Sequence, residues 1–247
     1  MKKRFAIALL LLLCMLAPGA DALAASGSTA ISLPHSIGLT GVNNARNLGG
    51  YMASSGKSVK MGVLLRSARL QRATAADLSI LKNQYHLTQI IDLRTSKEAA
   101  EHPDPAISGV IETSLPLLSE KEKLGDMKEE YADMVTDDYS ISALKQFFTL
   151  VLKHRQGALL FHCTAGKDRT GVAAMLLLRA LGLSKATVIQ DYLLSNRYYG
   201  KTVVQKNWAD DVFDIIDSQY GSTLHFLESR VGLTADQINQ LRAQYLQ

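Results

Sequence analysis

One ten-residue stretch constrains this chain more than any other. It runs from His162 to Gly171 and reads His-Cys-Thr-Ala-Gly-Lys-Asp-Arg-Thr-Gly. Four apolar residues precede it at 158–161, and a run rich in helix formers follows at 172–178. This order predicts a buried strand, a tight loop and the first turn of a helix. A loop that opens a helix offers unpaired N–H groups and a partial positive charge, which suit an oxyanion.

Strand patterns and helix patterns alternate along the rest of the chain. This alternation predicts an α/β fold, with a central, mainly parallel sheet flanked by helices. Strands are predicted at 63–65, 87–94, 110–115 and 158–161. Helices are predicted from a Thr74 cap, over 141–154, from a Ser184 cap, and through much of 202–247. We also expect a turn-rich segment at 43–51, a hairpin turn at 54–57, and a helical, mobile lid over the charged stretch 120–138.

The first 24 residues have the pattern of a secretory signal peptide. Basic residues at positions 2–4 precede an apolar run over 5–16, and Ala-Leu-Ala at 22–24 resembles a cleavage site. The run is shorter than the roughly 20 residues of a membrane span. We therefore expect an exported protein, periplasmic or secreted, with no stable membrane span after cleavage. Residues 25–42 are then an irregular lead-in, and residues 43–247 form one domain.

Cleavage would change the charge and the cysteine content of the chain. It removes three basic residues and Asp21, so the net charge falls from +4 to +2, which does not favour a nucleic-acid partner. It also removes Cys14, which leaves Cys163 as the only cysteine. A lone cysteine is commonly a buried core thiol. Here the charged, glycine-containing surroundings favour a reactive one.

The loop contains the groups that transfer of a phosphoryl group requires. A helix N-terminus and the cations Lys167 and Arg169 favour the thiolate form of Cys163, which would be the nucleophile. Arg169 can bind the equatorial oxygens of the phosphoryl group as a planar, bidentate donor. The hydroxyl group of Thr170 can donate to the sulfur, and His162 would orient the loop through hydrogen bonds to the backbone. The amides from Thr164 to Arg169 would surround the position of the sulfur.

Two other types of loop do not fit the sequence. A P-loop requires Gly-x-x-x-x-Gly-Lys-Ser/Thr, but Asp168 follows Gly166-Lys167 and position 161 is Phe. A redox enzyme similar to arsenate reductase also uses Cys-x5-Arg, but it needs partner thiols. A mature chain without Cys14 has none.

The pattern His-Cys-x5-Arg-Thr resembles the signature of cysteine-dependent protein tyrosine and dual-specificity phosphatases. The fuller loop resembles a bacterial branch that acts on phosphotyrosine and often on phosphoinositides. Four further segments resemble that branch: Asn44–Tyr51, Leu65–Ala68, Ile91–Arg94 with Glu98 and Pro103-Asp104, and Asp191–Leu194. The chain departs at Asn47, where the branch usually has Asp, so a salt bridge made by that Asp is in doubt. The resemblance implies a phosphatase-like fold and a phosphocysteine intermediate. No cofactor and no metal are expected, because thiolate chemistry needs none and the histidines show no spacing typical of a metal site.

The general acid is open between two sets of aspartates. Tyrosine phosphatases commonly carry the acid on a movable loop before the cysteine, which points to Asp133, Asp137 or Asp138. The resemblance to the bacterial branch points instead to Asp168 in the loop itself. The alternatives are structural: Asp168 would pair with Arg94 or Arg66, and Asp137-Asp138 would form a solvated face.

Three arginines end a turn or a strand that could converge on the loop. They are Arg46, Arg66 and Arg94. Arg94 is a candidate substrate ligand together with Thr164, Ala165, Gly166, Lys167 and Thr170, whereas structural ion pairing is the interpretation for Arg46. Lys167 could contact a second phosphate on the substrate.

The sequence therefore predicts an exported phosphomonoesterase that hydrolyses phosphotyrosine. Phosphoserine, phosphothreonine and phosphoinositides are further candidate substrates. One alternative is a phytase-like enzyme acting on inositol phosphates. An alternative of another class is an inactive module that binds phosphoproteins, but such a module would be expected to lack Cys163 or Arg169.

Overall fold

One five-stranded sheet forms the centre of the computed structural model, which describes residues 35–119 and 126–247. The strands are β1 (Arg46–Asn47), β2 (Leu64–Ser67), β3 (Leu87–Asp92), β4 (Ile111–Ser114) and β5 (Ala158–His162). Their order in the sheet is β1-β2-β5-β3-β4. The β1–β2 pair is antiparallel and the other three pairs are parallel. The predicted α/β fold with a mainly parallel sheet is confirmed.

Strand β5 lies in the middle of the sheet, between β2 and β3. All five of its residues are buried, as expected for an apolar strand with parallel neighbours on both sides. Its side chains alternate: Leu159 and Phe161 join the larger apolar cluster, while Ala158 and Leu160 join the smaller cluster on the other face. Because the carboxyl ends of parallel strands share one edge, the segments after β2, β3 and β5 all start at the same edge of the sheet.

The helices in the described residues flank the sheet or extend beyond it. They are α1 (Ala75–Ser79), α2 (Ser96–Glu101), α3 (Met127–Thr136), α4 (Asp138–Lys153), α5 (Arg169–Ala180), α6 (Lys185–Tyr199), α7 (Lys206–Tyr220), α8 (Thr223–Phe226) and α9 (Ala235–Tyr245). One π-helical turn continues α1 over Ile80–Gln84, and another continues α8 over Leu227–Val231. None of these helices combines the length and the apolar character needed to cross a membrane.

The predicted helix caps are present. The side chain of Thr74 accepts a hydrogen bond from the Asp77 amide in a complete capping box, and Ser184 caps α6. Helix α4, in contrast, begins at Asp138 rather than at the predicted residue 141. It starts earlier because the Asp137 carboxylate accepts hydrogen bonds from the amides of Tyr139 and Ser140.

The hairpin turn predicted at 54–57 is confirmed, since Met52 and Ser58 pair across it and Gly56 has a φ of +79°. The described part of the predicted helical excursion consists of α3 and the start of α4, while residues 120–125 lie outside the described residues. The predicted signal peptide and most of the lead-in also lie outside them. Export and lid mobility therefore stay predictions.

Candidate active site

The loop from Cys163 to Asp168 joins β5 directly to α5, as predicted. Cys163 is a free cysteine and is almost completely buried. None of the five amides from Thr164 to Asp168 donates a hydrogen bond to another part of the described chain. Helix α5 starts at Arg169, so the unpaired loop amides lie at the positive end of the helix. This arrangement can bind an oxyanion.

Glycine is required at position 166 because of the way the loop turns. The φ of Gly166 is +64°, and an added Cβ would lie 2.2 Å from the carbonyl oxygen of Ser67. The Gly166 carbonyl accepts hydrogen bonds from Arg66 Nη2 at 2.8 Å and from Asn44 Nδ2 at 2.9 Å. The carbonyl of Ala165 accepts one from the Tyr199 hydroxyl at 2.8 Å. Side chains from three segments therefore tie the loop carbonyls down.

A buried cluster of ion pairs supports the loop through Arg66, which also bonds to the Gly166 carbonyl. Asp191 on α6 pairs with Arg46 at 3.0 Å and with Arg66 at 2.7 Å, and the Tyr51 hydroxyl donates to it at 3.1 Å. Burial alone would raise the pKa of Asp191, but the two arginines lower it. Burial and the neighbouring Arg46 lower the pKa of Arg66 to about 10. The structural role predicted for Arg46 agrees with this placement.

Asn44 and Asn47 belong to the turn-rich segment that was identified from the sequence. Asn44 also bonds to Arg46 and lies 3.2 Å from the Ser195 hydroxyl, so it links the loop to α6. The Oδ1 atom of Asn47 accepts a hydrogen bond from the Gly49 amide at 2.8 Å. Asn47 therefore stabilises the turn through this neutral bond, at the position where the resembling branch usually has Asp.

Arg94 is placed differently from the prediction that it binds substrate. Its side chain is buried and pairs with Asp92 at 2.7 Å and Asp104 at 2.8 Å, while Nη1 donates to the carbonyl of His102. All of its nitrogens are therefore engaged inside the protein. The prediction for Arg94 was wrong because a strand-end position does not show which way a side chain turns.

His162 lies next to the loop, beside Asp92 and Asp104, the two partners of Arg94. Its Nδ1 is 3.3 Å from the carbonyl oxygen of Cys163, consistent with the predicted orienting role, and its Nε2 is 3.2 Å from Asp104 Oδ2. Burial lowers the pKa of His162, which favours the neutral ring.

Asp92 and Glu112 lie close to Asp104 and His162. The ligand atoms of these two residues, Asp104 and His162 all lie within 4.8 Å of one another, a spacing that suits a metal ion. The Arg94 guanidinium already supplies a positive charge to Asp92 and Asp104. Asp92 and His162 are buried, whereas Glu112 is exposed.

Glu98 is the main functional residue that the sequence interpretation left without a role. Its carboxylate makes a bidentate pair with Arg169, at 2.5 Å and 3.0 Å, and accepts a hydrogen bond from Thr164 Oγ1 at 2.8 Å. Burial alone would raise the pKa of Glu98, but the hydrogen bonds and charge of Arg169 lower it well below its usual range. The available signal was the Thr95-x-x-Glu98 capping box, which fixes Glu98 at the start of α2.

Cys163 and Glu98 both lie close enough to Arg169 to affect its pKa. Burial would lower its pKa, but the charges of Cys163 and Glu98 raise it. Its guanidinium is thus oriented by Glu98 next to the cysteine. The hydroxyl group of Thr170 is buried and makes no hydrogen bond to any described residue, so the predicted bond to the sulfur is not formed here.

Two side chains hold Asp168, the last residue of the loop before α5. Its Oδ1 accepts a hydrogen bond from the Tyr131 hydroxyl at 2.7 Å, and its Oδ2 lies 2.9 Å from Lys167 Nζ. Tyr131 comes from α3 and also bonds to the Tyr192 hydroxyl at 2.6 Å. Burial and the charge of Asp168 raise the pKa of Tyr131, so the phenol stays a donor. The alternative partners considered for Asp168, Arg66 and Arg94, are bonded elsewhere.

The sequence model of the tyrosine phosphatase family matches residues 37–247. The chain belongs to the tyrosine phosphatase family. This phosphatase is 31% identical to a Cupriavidus necator protein provisionally named a tyrosine-protein phosphatase, over 86% of this chain and 89% of that protein. It is 30% identical to a tyrosine-protein phosphatase of Nostoc commune, over 75% and 74%. It is 29% identical to the triple specificity protein phosphatase PtpB of Mycobacterium tuberculosis, over 59% and 65%.

Family membership agrees with the loop-based prediction and leaves the general acid of this phosphatase to be assigned. Asp137 caps α4, and the exposed Asp138 pairs with Arg230 at 2.6 Å. The alternative of a solvated face fits the exposed Asp138, whereas Asp137 has a defined role as the cap of α4. Asp168 is the aspartate of the loop itself, whereas these two carboxylates serve the start of a helix.

Proposed function

We propose that this protein is an exported phosphomonoesterase that hydrolyses phosphotyrosine through a phosphocysteine intermediate on Cys163. The observation that carries the proposal is the row of five amides, Thr164 to Asp168, that make no hydrogen bond within the described chain and lie between a buried cysteine and the start of α5. Arg169 lies beside them and is oriented by Glu98. An inactive binding module would not need this nucleophile.

The residues support a two-step reaction. In the first step the Cys163 thiolate attacks phosphorus, an S–P bond forms, and the bond to the tyrosine oxygen breaks. In the second step water attacks phosphorus, the S–P bond breaks, and inorganic phosphate leaves with the thiolate regenerated. The loop amides and Arg169 stabilise the negative charge on the three equatorial oxygens in both steps.

Asp168 is the proposed proton donor for the leaving phenolate. The residue lies at the end of the loop that carries Cys163, and Tyr131 and Lys167 fix its carboxyl group there. In the second step the same carboxylate would accept a proton from the attacking water. Tyr131 and Lys167 are thus positioning residues for the proton transfer, and Lys167 adds positive charge near the substrate.

Two further parts of the proposal rest on the sequence and on the relatives. The basic, apolar and Ala-Leu-Ala segments of residues 1–24 support export through a cleaved signal peptide. The name of the Mycobacterium tuberculosis relative, a triple specificity protein phosphatase, supports a specificity broader than phosphotyrosine alone, and phosphoserine and phosphothreonine are the additional substrates of the proposal.

The test compares hydrolysis of a phosphotyrosine peptide by wild type, Cys163→Ser and Arg169→Lys. We expect Cys163→Ser to abolish turnover, and Arg169→Lys to lower kcat/KM roughly 100-fold, because lysine keeps the charge but loses the bidentate donor. Activity retained by Cys163→Ser would refute the mechanism. Rapid-quench mass spectrometry of the wild type should show a phosphate adduct on Cys163, and an adduct on another residue would contradict the assignment.

The proton donor is tested by the dependence on the leaving group. Asp168→Ala should slow substrates with poor leaving groups more than substrates with good ones, since only the former need the proton. Asp138→Ala is the matched control, because it removes an exposed carboxylate of the α4 N-terminus. If the control, and not Asp168→Ala, changes the leaving-group dependence, the acid role of Asp168 is wrong.

A further inference from the structure

A cavity lies beside the loop and shares part of its lining with it. Its volume is about 270 Å³, and Thr164 and Ala165 form the wall nearest the loop. Its other lining includes Gly41 and the two arginines Arg69 and Arg72, whereas Cys163 and Arg169 do not line it. An occupant of this cavity would therefore sit beside the phosphoryl group under attack, not in its place.

Arg69 and Arg72 differ from the other cations around the loop. In the described parts of the chain, neither side chain makes an ion pair or a hydrogen bond, and Arg72 is exposed. The other cations of this region each have a carboxylate partner; these are Arg46, Arg66, Arg94, Lys167 and Arg169. The positive charge of Arg69 and Arg72 is thus available to a ligand.

The backbone that carries these two arginines is firmly held. The amide of Arg69 lies 3.4 Å from the carbonyl oxygen of Thr164 in the loop. The carbonyl of Arg72 packs against Gly41 so closely that an added Cβ would lie 2.0 Å from it. The amide of Gly41 in turn donates to Asp77 of α1 at 2.8 Å. The backbone positions of both arginines beside the loop are therefore fixed by the fold.

We infer that Arg69 and Arg72 form a subsite for a second phosphate group on the same substrate, carried by a residue close to the phosphotyrosine. Two guanidinium groups match the oxygens of a phosphate dianion, and the cavity is large enough to hold one. Because the cavity excludes Cys163, this phosphate is bound and not hydrolysed. A phosphotyrosyl peptide supplies such a group on its leaving part, which ties this inference to the proposed function.

The experiment uses peptides that contain one phosphotyrosine and, one to three residues away, either serine or phosphoserine. The measured quantity is the ratio of kcat/KM for the doubly phosphorylated peptide to that for its singly phosphorylated partner. We expect a ratio of roughly ten in the wild type at the best spacing, as for one or two charge-assisted contacts. We expect the ratio to approach one in Arg69→Gln/Arg72→Gln. A loss of activity that affects both peptides equally cancels in this ratio.

Two further variants make the result specific. Arg72→Gln changes one exposed residue and should lower the ratio even if the double variant folds poorly. Lys153→Gln removes the same unit of charge at the end of α4, before β5 begins and so at the opposite edge of the sheet, and should keep the wild-type ratio.

A wild-type ratio near one at every spacing, or an equal fall in Lys153→Gln, would overturn the subsite while leaving phosphotyrosine hydrolysis intact. Loss of the proposed function itself would appear separately, as activity retained by Cys163→Ser. If peptides show no advantage but hydrolysis of inositol 1,4-bisphosphate falls in Arg72→Gln, the peptide assignment is wrong.

Discussion

The pairing of Glu98 with Arg169 makes a quantitative prediction. In Glu98→Gln, one amide oxygen remains to accept from Arg169, but the second acceptor and the negative charge are lost. A net hydrogen bond to a charged group contributes about 1.5–3 kcal/mol. Both side chains are largely shielded from water, at 12% and 13% exposure, so this range applies with little screening. We expect kcat/KM for a phosphotyrosine peptide to fall about ten- to a hundredfold.

The matched control is Glu101→Gln, on the same helix α2 but exposed to solvent. It should leave kcat/KM unchanged. An equal loss in both variants would show that the helix, not the pair with Arg169, matters. A Glu98→Gln enzyme with wild-type kcat/KM would refute the orienting role that we assign to Glu98.

The same pair has a defined pH dependence. Since the pKa of Glu98 is lowered in the folded state, its contribution to stability is fully present above the unfolded value, about 4.3. That contribution is lost as pH falls below this value and toward the folded pKa. The difference in free energy of unfolding between wild type and Glu98→Gln should be constant from pH 7 to pH 5 and smaller at pH 3.5. Urea denaturation measures it, and a difference that grew in acid would contradict the sign.

Three more perturbations test the support of the loop. Gly166→Ala should lower the free energy of unfolding by at least about 2 kcal/mol in urea denaturation, because its Cβ would collide with the Ser67 carbonyl at positive φ. Asp191→Asn should cost about 3–5 kcal/mol, since two buried arginines lose their shared carboxylate, whereas Asp236→Asn on the exposed start of α9 should cost almost nothing. Tyr131→Phe should reduce kcat mainly for poor leaving groups, and an unchanged leaving-group dependence would remove Tyr131 from the positioning of Asp168.

Local patterns in the sequence were enough to predict the centre of the site. The strand, the loop and the helix follow from the change of periodicity around His162–Gly171, and the Thr74 and Ser184 caps follow from their spacing to the first helical turn. Such features depend on neighbours within a few residues. The prediction for α4 erred by three residues because Asp137 was considered as a candidate acid and not as a cap.

Contacts between residues that are far apart in the sequence were harder to predict. Arg94 was predicted to bind substrate, but its guanidinium turns into the pair Asp92 and Asp104. Tyr131 reaches Asp168 from α3, 37 residues earlier in the chain. Neither contact has a periodic signal, because it depends on how distinct elements pack.

The sequence by itself determined the make-up of the loop: a cysteine, an arginine six residues later, and a strand-to-helix turn whose amides have no partner in the described chain. Short-range steric and hydrogen-bonding rules are sufficient for that. Only the tertiary structure decided which charges remain available. It engages Arg46, Arg66 and Arg94 with buried carboxylates, orients Arg169 through Glu98, and leaves Arg69 and Arg72 beside the loop. The physical reason is that burying an arginine is favourable only when a carboxylate is brought to it, and folding alone determines which carboxylates arrive.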